Sequence, residues 1–323
     1  MLIYIGSRRQ TYLLRHMKPD ARRPKWTGRT YAWLFRAWRL PAATYIFTGV
    51  DRLDAGERRL AARFYRHINA QGEGFRALND PAIGMGRFRL LRTLFERGIN
   101  DFNAYLATER ERPSRYPVFI RSATASAAPL TGMLASLAEL EGEIARLGAS
   151  GHPLEDLLII EFHGEPVREG VYRKQGAYRF GDTYLPNPSI YAATWYVKYS
   201  NTYTVPDDLP GYDREVMRDN PMAGVARQAF EIAGMEYGRA DIGIVNGRPQ
   251  IYEINYNPNL QTQRDVPNAN AALHKLWAEH DDRVAAALRA LDQPRGRSVP
   301  SLSSSELTAF RLRLWRNYAP QRY

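Results

Sequence analysis

Tyr237-Gly238-Arg239-Ala240-Asp241-Ile242-Gly243-Ile244-Val245-Asn246-Gly247-Arg248-Pro249-Gln250-Ile251-Tyr252-Glu253-Ile254-Asn255-Tyr256-Asn257-Pro258 reads as two short strands joined at Asn246-Gly247. That dipeptide favours the positive backbone angles of tight hairpin turns. Side chains alternate between the faces of a strand. With a loop of three or five residues, Asp241 falls opposite Glu253 and Arg239 opposite Asn255, while Ile242, Ile244, Tyr252 and Ile254 form an apolar face. A two-residue loop would send the two acids to opposite faces. Two carboxylates and an amide oxygen are hard ligands suited to Mg²⁺, with phosphate oxygens completing its shell. Arg239 beside them suits a phosphate or a charge developing on a transferred group. The same residues also fit the solvated outer face of an ordinary antiparallel hairpin.

The spacing Arg-x-Asp, about a dozen residues, then Glu-x-Asn and Asn257-Pro258, resembles the metal-binding end of the ATP-grasp superfamily. D-alanine–D-alanine ligase, glutathione synthetase and ribosomal-protein glutamate ligases belong to it. The resemblance implies Asp241, Glu253 and Asn255 as ligands of two Mg²⁺ ions, and Arg239 as the contact to the transferred phosphoryl group. Three upstream segments follow in the family's order. Tyr116-Pro117-Val118-Phe119-Ile120-Arg121 is an apolar strand ending in a base, which the resemblance places on the α/β-phosphates. Asp156-Leu157-Leu158-Ile159-Ile160-Glu161-Phe162-His163 is similar to the hinge, where Glu161 and the backbone of Phe162 and His163 would recognise adenine. Lys198, in Trp195-Tyr196-Val197-Lys198-Tyr199, matches a later phosphate-binding lysine. Arg87, at the start of the run 87–98, matches a base that the family places at a helix start. Taken singly, Arg121 and Lys198 read equally as surface cations, and Glu161 as the end of an edge strand.

The fold implied is ATP-grasp, class α+β: two α+β subdomains clasping ATP, preceded by a small α/β N-terminal domain. On this chain that gives an N-terminal domain at 1–80, a helical connection at 81–115 and a lid subdomain at 116–200. A metal-binding subdomain follows at 201–293, then a basic linker and C-terminal helix at 294–323. The activity implied is ADP-forming ligation of a carboxylate to an amine or other nucleophile through an acyl phosphate. Arg173 is a candidate clamp for the substrate carboxylate, since a guanidinium pairs with that group through two bonds. A phosphotransferase on the same fold and a non-catalytic nucleotide- or partner-binding protein are the alternatives. One segment departs from the pattern: Ser122-Ala123-Thr124-Ala125-Ser126-Ala127-Ala128-Pro129 stands where many members carry a glycine-rich flap, and it has no glycine. Glu165 and Glu169 are both candidates for the ribose contact.

The rest of the chain is ordinary for a globular protein of 323 residues, 44% hydrophobic and 24% charged. There is no cysteine, which excludes disulfides, thiolate metal sites and cysteine nucleophiles. No apolar run reaches the ~20 residues that span a bilayer. Met1 to Gly6 is a strand-length run without the pattern of a secretory signal, so with ATP as substrate the cytoplasm is the expected compartment. The net charge of +11 concentrates between Arg8 and Arg39 and between Arg295 and Arg322. It is either dispersed solvated charge or the mark of an anionic substrate, such as an acidic peptide or a phosphorylated metabolite, steered past Arg173, Lys174 and Arg179. No recognisable nucleic-acid module accompanies it.

Punctuation predicts the remaining elements: a strand over 43–48, helices from Asp54 to Gly72 and over 87–98, and a turn at Asn79-Asp80-Pro81. Helices are also predicted over 129–148, 221–234 and 270–291 from apolar residues at helical spacing. Paired strands flank a turn at Gly181-Asp182. Ser303 to Glu306 has capping-box spacing before a last helix that carries Leu307, Phe310 and Leu314 on one face and is expected to pack on its own protein.

Overall fold

The computed structural model describes residues 1–7, 21–125, 127–198, 208–258, 260, 270–293, 296–303 and 305–318. Ser126, the linker start at 294–295, Ser304, the side chains of Glu306 and Leu314, and much of both basic regions lie outside the described residues. In chain order the elements are β1 (Leu2–Gly6), β2 (Trp26–Thr30), α1 (Tyr31–Arg36), β3 (Arg39–Leu40), β4 (Ala43–Phe47), α2 (Ala55–Asn69) and β5 (Phe75–Leu78). Next come α3 (Arg87–Glu96), β6 (Ala104–Leu106), β7 (Val118–Ser122), α4 (Leu137–Ala149), β8 (Leu157–Glu161), β9 (Pro166–Arg168), β10 (Val171–Phe180) and β11 (Thr183–Ala192). The remainder are α5 (Pro210–Asp219), α6 (Ala223–Ala233), β12 (Tyr237–Val245), β13 (Arg248–Asn255), α7 (Ala271–Ala290), β14 (Val299–Pro300) and α8 (Ser305–Tyr318).

The first part is a parallel sheet in the order β2-β1-β4-β5. β1 and β4 are largely apolar because helices cover them, and they are buried at every residue, whereas the edge strand β2 is only half-buried. Asp54 caps α2 by accepting from the Glu57 N–H, while the Glu57 side chain returns to the Asp54 N–H. A small antiparallel sheet, β6-β8-β7, carries α4 on one face through Val118, Ile120, Leu140, Ile144, Leu147 and Ile159. The third sheet is antiparallel, β11-β10-β12-β13. α6 covers one face through Ala226, Ala229 and Phe230, in a core shared with the first sheet. α7 covers the other, where Val284 and Leu288 meet Tyr178, Phe180 and Tyr237. The architecture is α+β.

Two predicted boundaries move. The helix expected from residue 129 begins at Leu137, where Ser136 caps it by accepting from the Glu139 N–H. Leu130 and Leu134 have helical spacing but run as an extended segment along β7: Val118 and Leu134 exchange backbone hydrogen bonds, and the Ile120 N–H donates to Thr131 Oγ1. The boundary expected at residue 200 also fails to divide the sheets. β10 and β11, assigned to the lid, belong to one sheet with β12 and β13, because β10 pairs with β12 from Gln175–Ile242 to Phe180–Tyr237. α5 was not anticipated. α8 does pack on its own protein: the Phe310 ring meets Phe35 edge-on at 4.9 Å, and Arg311 Nε donates to the Phe35 carbonyl at 2.9 Å.

Asn79 joins the first sheet to the third. It holds a positive φ of 66° at the turn after β5 and is 1% exposed. Its Nδ2 donates to the carbonyls of Phe47 (3.0 Å) and Tyr237 (2.9 Å), and its Oδ1 accepts from the N–H groups of Glu236 (2.7 Å) and Tyr237 (2.8 Å).

His280 on α7 carries a pH dependence. Burial pushes its pKa from 6.5 down to about 3, with Arg283, Arg239 and Arg23 adding to the effect and a backbone bond at Pro186 opposing it. The unfolded chain therefore binds a proton below about pH 6.5 that the folded chain refuses until about pH 3, so this residue costs stability as pH falls through that window. Urea unfolding of wild type should lose stability with a slope up to about 1.4 kcal/mol per pH unit steeper than His280→Phe between pH 6 and 4. Equal slopes would contradict a neutral buried imidazole.

Candidate active site

The β12–β13 hairpin turns on two residues, Asn246 (φ 50°) and Gly247 (φ 74°), not on an odd-numbered loop. A bulge restores the arrangement the turn alone would spoil. Val245 pairs with Arg248 and Ile242 with Ile251, but the register then shifts, and Asp241 pairs with Glu253 and Arg239 with Asn255. Tyr252 is the extra residue. It leaves the apolar face expected for it and lies over Gly243, where any Cβ would stand 2.1 Å from its hydroxyl oxygen. That hydroxyl donates to the His163 carbonyl at 2.8 Å, tying the hairpin to the segment after β8.

Asp241 and Glu253 face a cleft, open to solvent, between the β6-β8-β7 sheet and the β10–β13 sheet. Both are paired with cations. Arg87 Nη2 lies 2.8 Å from Glu253 Oε2, Arg121 Nη2 lies 3.5 Å from the same oxygen, and Asn255 Nδ2 donates to Oε1 at 3.3 Å. Lys174 Nζ lies 3.0 Å from Asp241 Oδ2, and Arg239 Nη2 lies 2.8 Å from Oδ1. Burial alone would raise the Glu253 carboxyl, but Arg87, Arg121 and Lys174 outweigh it and hold the group well below the usual carboxylate range. Burial, helped by Arg87, lowers the Arg121 guanidinium, and burial also lowers Lys198. With side chains 4% and 18% exposed, the acids are more enclosed than a solvated hairpin face would have them.

Arg87 opens α3, a helix with no acid in its first turn. A cation at a helix N-terminus opposes the dipole, so helix stability does not account for it. Its Nη1 donates to the carbonyls of Ser122 (2.9 Å), Ala123 (3.3 Å) and Ala125 (3.1 Å), which holds the start of the glycine-free loop after β7. The loop is braced by polar side chains instead of glycines: Ser122 Oγ donates to Asp156 Oδ2 at 2.6 Å and accepts from the Ala125 N–H at 2.8 Å. Facing it, Tyr196 donates to the Ala127 carbonyl at 3.1 Å, and Lys198 Nζ lies 5.0 Å from the Tyr196 ring centroid. Trp195 meets the rings of Phe119 (4.9 Å) and Phe162 (5.7 Å) at the apolar end of the cleft.

Other expected residues sit differently. Glu161 lines the cleft, but its carboxylate accepts from the Asn103 N–H (2.9 Å), the Tyr105 hydroxyl (3.3 Å) and Arg115 Nη2 (3.1 Å), all from the segment before β7. His163 Nε2 lies 3.8 Å from Asp101 Oδ2, and burial lowers its pKa, Arg115 adding to the effect. Arg173 lines the cleft with its guanidinium over the Tyr212 ring at 3.7 Å. Arg179 is turned away from the cleft: its Nε and Nη1 donate to the carbonyls of Gly181 and Met235 at 2.8 Å. Glu165 accepts from the Asn246 N–H. The sequence reading gives no site role to Trp195, Tyr196 or Tyr252, and gives Lys174 only a steering role beside Arg173 and Arg179. Gly176 pairs with Asp241, so Lys174, two residues before it on β10, reaches the same carboxylate, and that long-range pairing leaves no plain mark in the residue pattern. Among the described residues, no group of three or more His, Cys, Asp or Glu side chains gathers as a metal cluster. Asp241, Glu253 and the amide of Asn255 are instead a hard-oxygen set of the kind that holds Mg²⁺ together with phosphate oxygens.

No family model and no curated protein matches the sequence. Among solved structures the chain is similar to D-alanine–D-alanine ligase from Bacillus anthracis complexed with ATP, at 12% identity over 88% of this chain and 97% of that one, TM-score 0.47. It is similar to a RimK domain ATP-grasp protein from Sphaerobacter thermophilus, at 15% identity over 90% and 98%, TM-score 0.47. It is also similar to the ATP-grasp ligase PsnB complexed with a minimal precursor, at 11% identity over 90% and 98%, TM-score 0.48. The likeness is to ATP-grasp ligases. At such identities and TM-scores it carries no residue's role, and those roles rest on the cleft itself. No helix among the described residues is long and apolar enough to cross a membrane.

Proposed function

We propose that the chain is an ATP-grasp enzyme, an ADP-forming ligase that joins a carboxylate to an amine or other nucleophile through an acyl phosphate. One observation carries the reading: two paired acids line one cleft with Arg121 and Lys174, and Arg87, Arg239 and the Asn255 amide contact those acids beside it. Without ligand, each set of charges neutralises the other. Phosphates and a divalent cation together offer every member a new partner of the right sign, and neither does so alone.

In this reading the adenine lies at the apolar end, by Phe119, Phe162 and Trp195, with Glu161 bracing the lid beside it and the backbone of Phe162 and His163 facing the base. The triphosphate lies along Arg121, Lys198 and Arg87. Asp241, Glu253 and Asn255 would hold two Mg²⁺ ions, which when bound neutralise charge on the phosphate oxygens. A carboxylate oxygen of the substrate attacks the γ-phosphorus, the bond to the β-phosphate oxygen breaks, and ADP leaves. Arg239 and Lys174 meet the charge on the transferred group, and Arg173 orients the substrate from the cleft wall. The nucleophile then attacks the acyl carbon, the C–O bond to phosphate breaks, and the amine's proton passes to solvent. Catalysis by position and charge needs no protein nucleophile.

Mg·ATP at about 100 times its Kd should stabilise the fold by about 2.7 kcal/mol, a rise in melting temperature of about 4 °C. Lys198→Ala should shrink that rise. No rise at millimolar Mg·ATP would favour a non-catalytic protein. Release of ADP and free phosphate that needs both a carboxylate and an amine supports the ligase, whereas phosphate retained on a hydroxyl product would make the chain a kinase.

A further inference from the structure

Consecutive residues of β13 run from the neighbouring β6-β8-β7 body to the acid cluster. The Gln250 side chain accepts from the Asp101 N–H (2.8 Å) and donates to the Asp101 carboxylate (2.7 Å). The backbone of Ile251 exchanges two bonds of 2.8 Å with the Asn100 side chain. The Tyr252 hydroxyl donates to the His163 carbonyl at 2.8 Å, and Glu253 is the acid beside Arg87 and Arg121.

The segment after β8 is thereby tied at three points. The Phe162 N–H donates to the Pro117 carbonyl at 2.9 Å, the His163 carbonyl accepts from Tyr252, and the Glu165 carboxylate accepts from the Asn246 N–H at 2.8 Å. Tyr252, Phe162, His163 and Gly164 all line the cleft. A planar peptide turns as a unit, so holding the His163 carbonyl also sets the direction of the Gly164 N–H. The hairpin is shaped for this bond. Gly243 faces Tyr252 from β12, where a Cβ would stand 2.1 Å from the hydroxyl oxygen and 2.5 Å from two ring carbons. The φ of Gly243 is not left-handed, so the backbone does not call for glycine there, and a glycine inside a strand weakens it. What the glycine provides is room for Tyr252. Phenylalanine would pack as well against Phe102, whose ring lies 5.9 Å away; the hydroxyl adds the bond to His163.

We propose that Tyr252 is a positioning residue for the nucleotide base. Its hydroxyl holds the main chain of His163 and Gly164 in the form that receives the base, and it does so from the strand that carries Glu253. The proposal rests on the ATP reading above and deepens it. Tyr252 acts on no reacting atom. The affinity contributed by the base depends on this hydroxyl, because a segment fixed beforehand loses less freedom on binding; the affinity contributed by the phosphates does not.

Tyr252→Phe keeps the ring and removes the bond. Melting temperatures of wild type and variant are compared with and without Mg·ATP, and with and without Mg·tripolyphosphate, which carries the phosphates and no base. Affinity for Mg·ATP should fall about tenfold in the variant, the scale of one lost hydrogen bond that leaves its acceptor unpaired. At the concentration that raises wild type by about 4 °C, the variant should therefore rise by about 2 °C. The Mg·tripolyphosphate rise should be the same in both. Titration calorimetry well below either melting temperature reads the same affinities if the variant melts early. Equal losses with both ligands would make Tyr252 a packing residue and overturn the proposal, as would an unchanged Mg·ATP rise. A wild type without any Mg·ATP rise would instead overturn the nucleotide reading. A wild type that answers Mg·ATP but not Mg·tripolyphosphate would overturn the division of the cleft into base and phosphate ends, and the proposal with it.

Discussion

Glu253→Gln or Asp241→Asn should lower Mg·ATP-dependent turnover about 10³-fold or more, the scale on which charge placed at a transferring phosphoryl group acts. Glutamine preserves the shape of Glu253 but removes the charge that meets Arg87 and Arg121 without ligand, and that would meet Mg²⁺ with it. The unliganded protein should also lose about 3 kcal/mol of stability, because breaking one side of a buried ion pair leaves the other uncompensated. Turnover is therefore read well below the variant's melting temperature. Glu253→Gln should also bind metal-free ATP more tightly than wild type, since phosphate no longer competes with a carboxylate for the two arginines. Near wild-type turnover in either variant would remove these acids from the reaction.

The largest effect on stability is expected far from the chemistry. Asn79→Ala should cost about 4 kcal/mol, because it orphans two buried carbonyls and two buried N–H groups at once, each loss about 1 kcal/mol or more. It also places a Cβ-bearing residue without a local hydrogen bond at a φ of 66°. Asn79→Gly relieves the backbone and keeps the orphans, so it should recover only a small part of the loss. Urea unfolding decides this. A cost under about 1 kcal/mol for Asn79→Ala would mean the two sheets are held by their shared apolar core alone.

What the sequence made legible was short-range. Asn246-Gly247, Gly181-Asp182, the Asp54 cap and the glycine stops leave marks in residue type, because positive φ and unpaired helix N–H groups restrict what stands there. The pairing of Asp241 with Glu253 was also legible, though for an incomplete reason. An odd count between the strands was required, and the odd residue is Tyr252 in a bulge, not a third residue in the turn. A bulge explains the misplacement of Tyr252, since period-two reasoning assumes an unbroken register. Leu130 and Leu134 carry helical spacing but lie against β7, an interaction set by tertiary pairing. The division of the lid failed likewise, since nothing local says that β10 pairs with β12 across some sixty residues. The charge state of the site lies furthest from the sequence. Asp241 and Glu253 could be counted, but that four cations would close on them depends on three separate sheet and helix ends meeting.

The most direct test of the account is a crystal structure with Mg²⁺ and a non-hydrolysable ATP analogue. The expected result is the base beside Trp195, the phosphates on Arg121 and Lys198, and the metal between the phosphates and Asp241, Glu253 and Asn255, with Arg87 released from Glu253. Phosphates bound elsewhere, or a cleft in which the Arg87–Glu253 and Lys174–Asp241 pairs persist at saturating analogue, would contradict it.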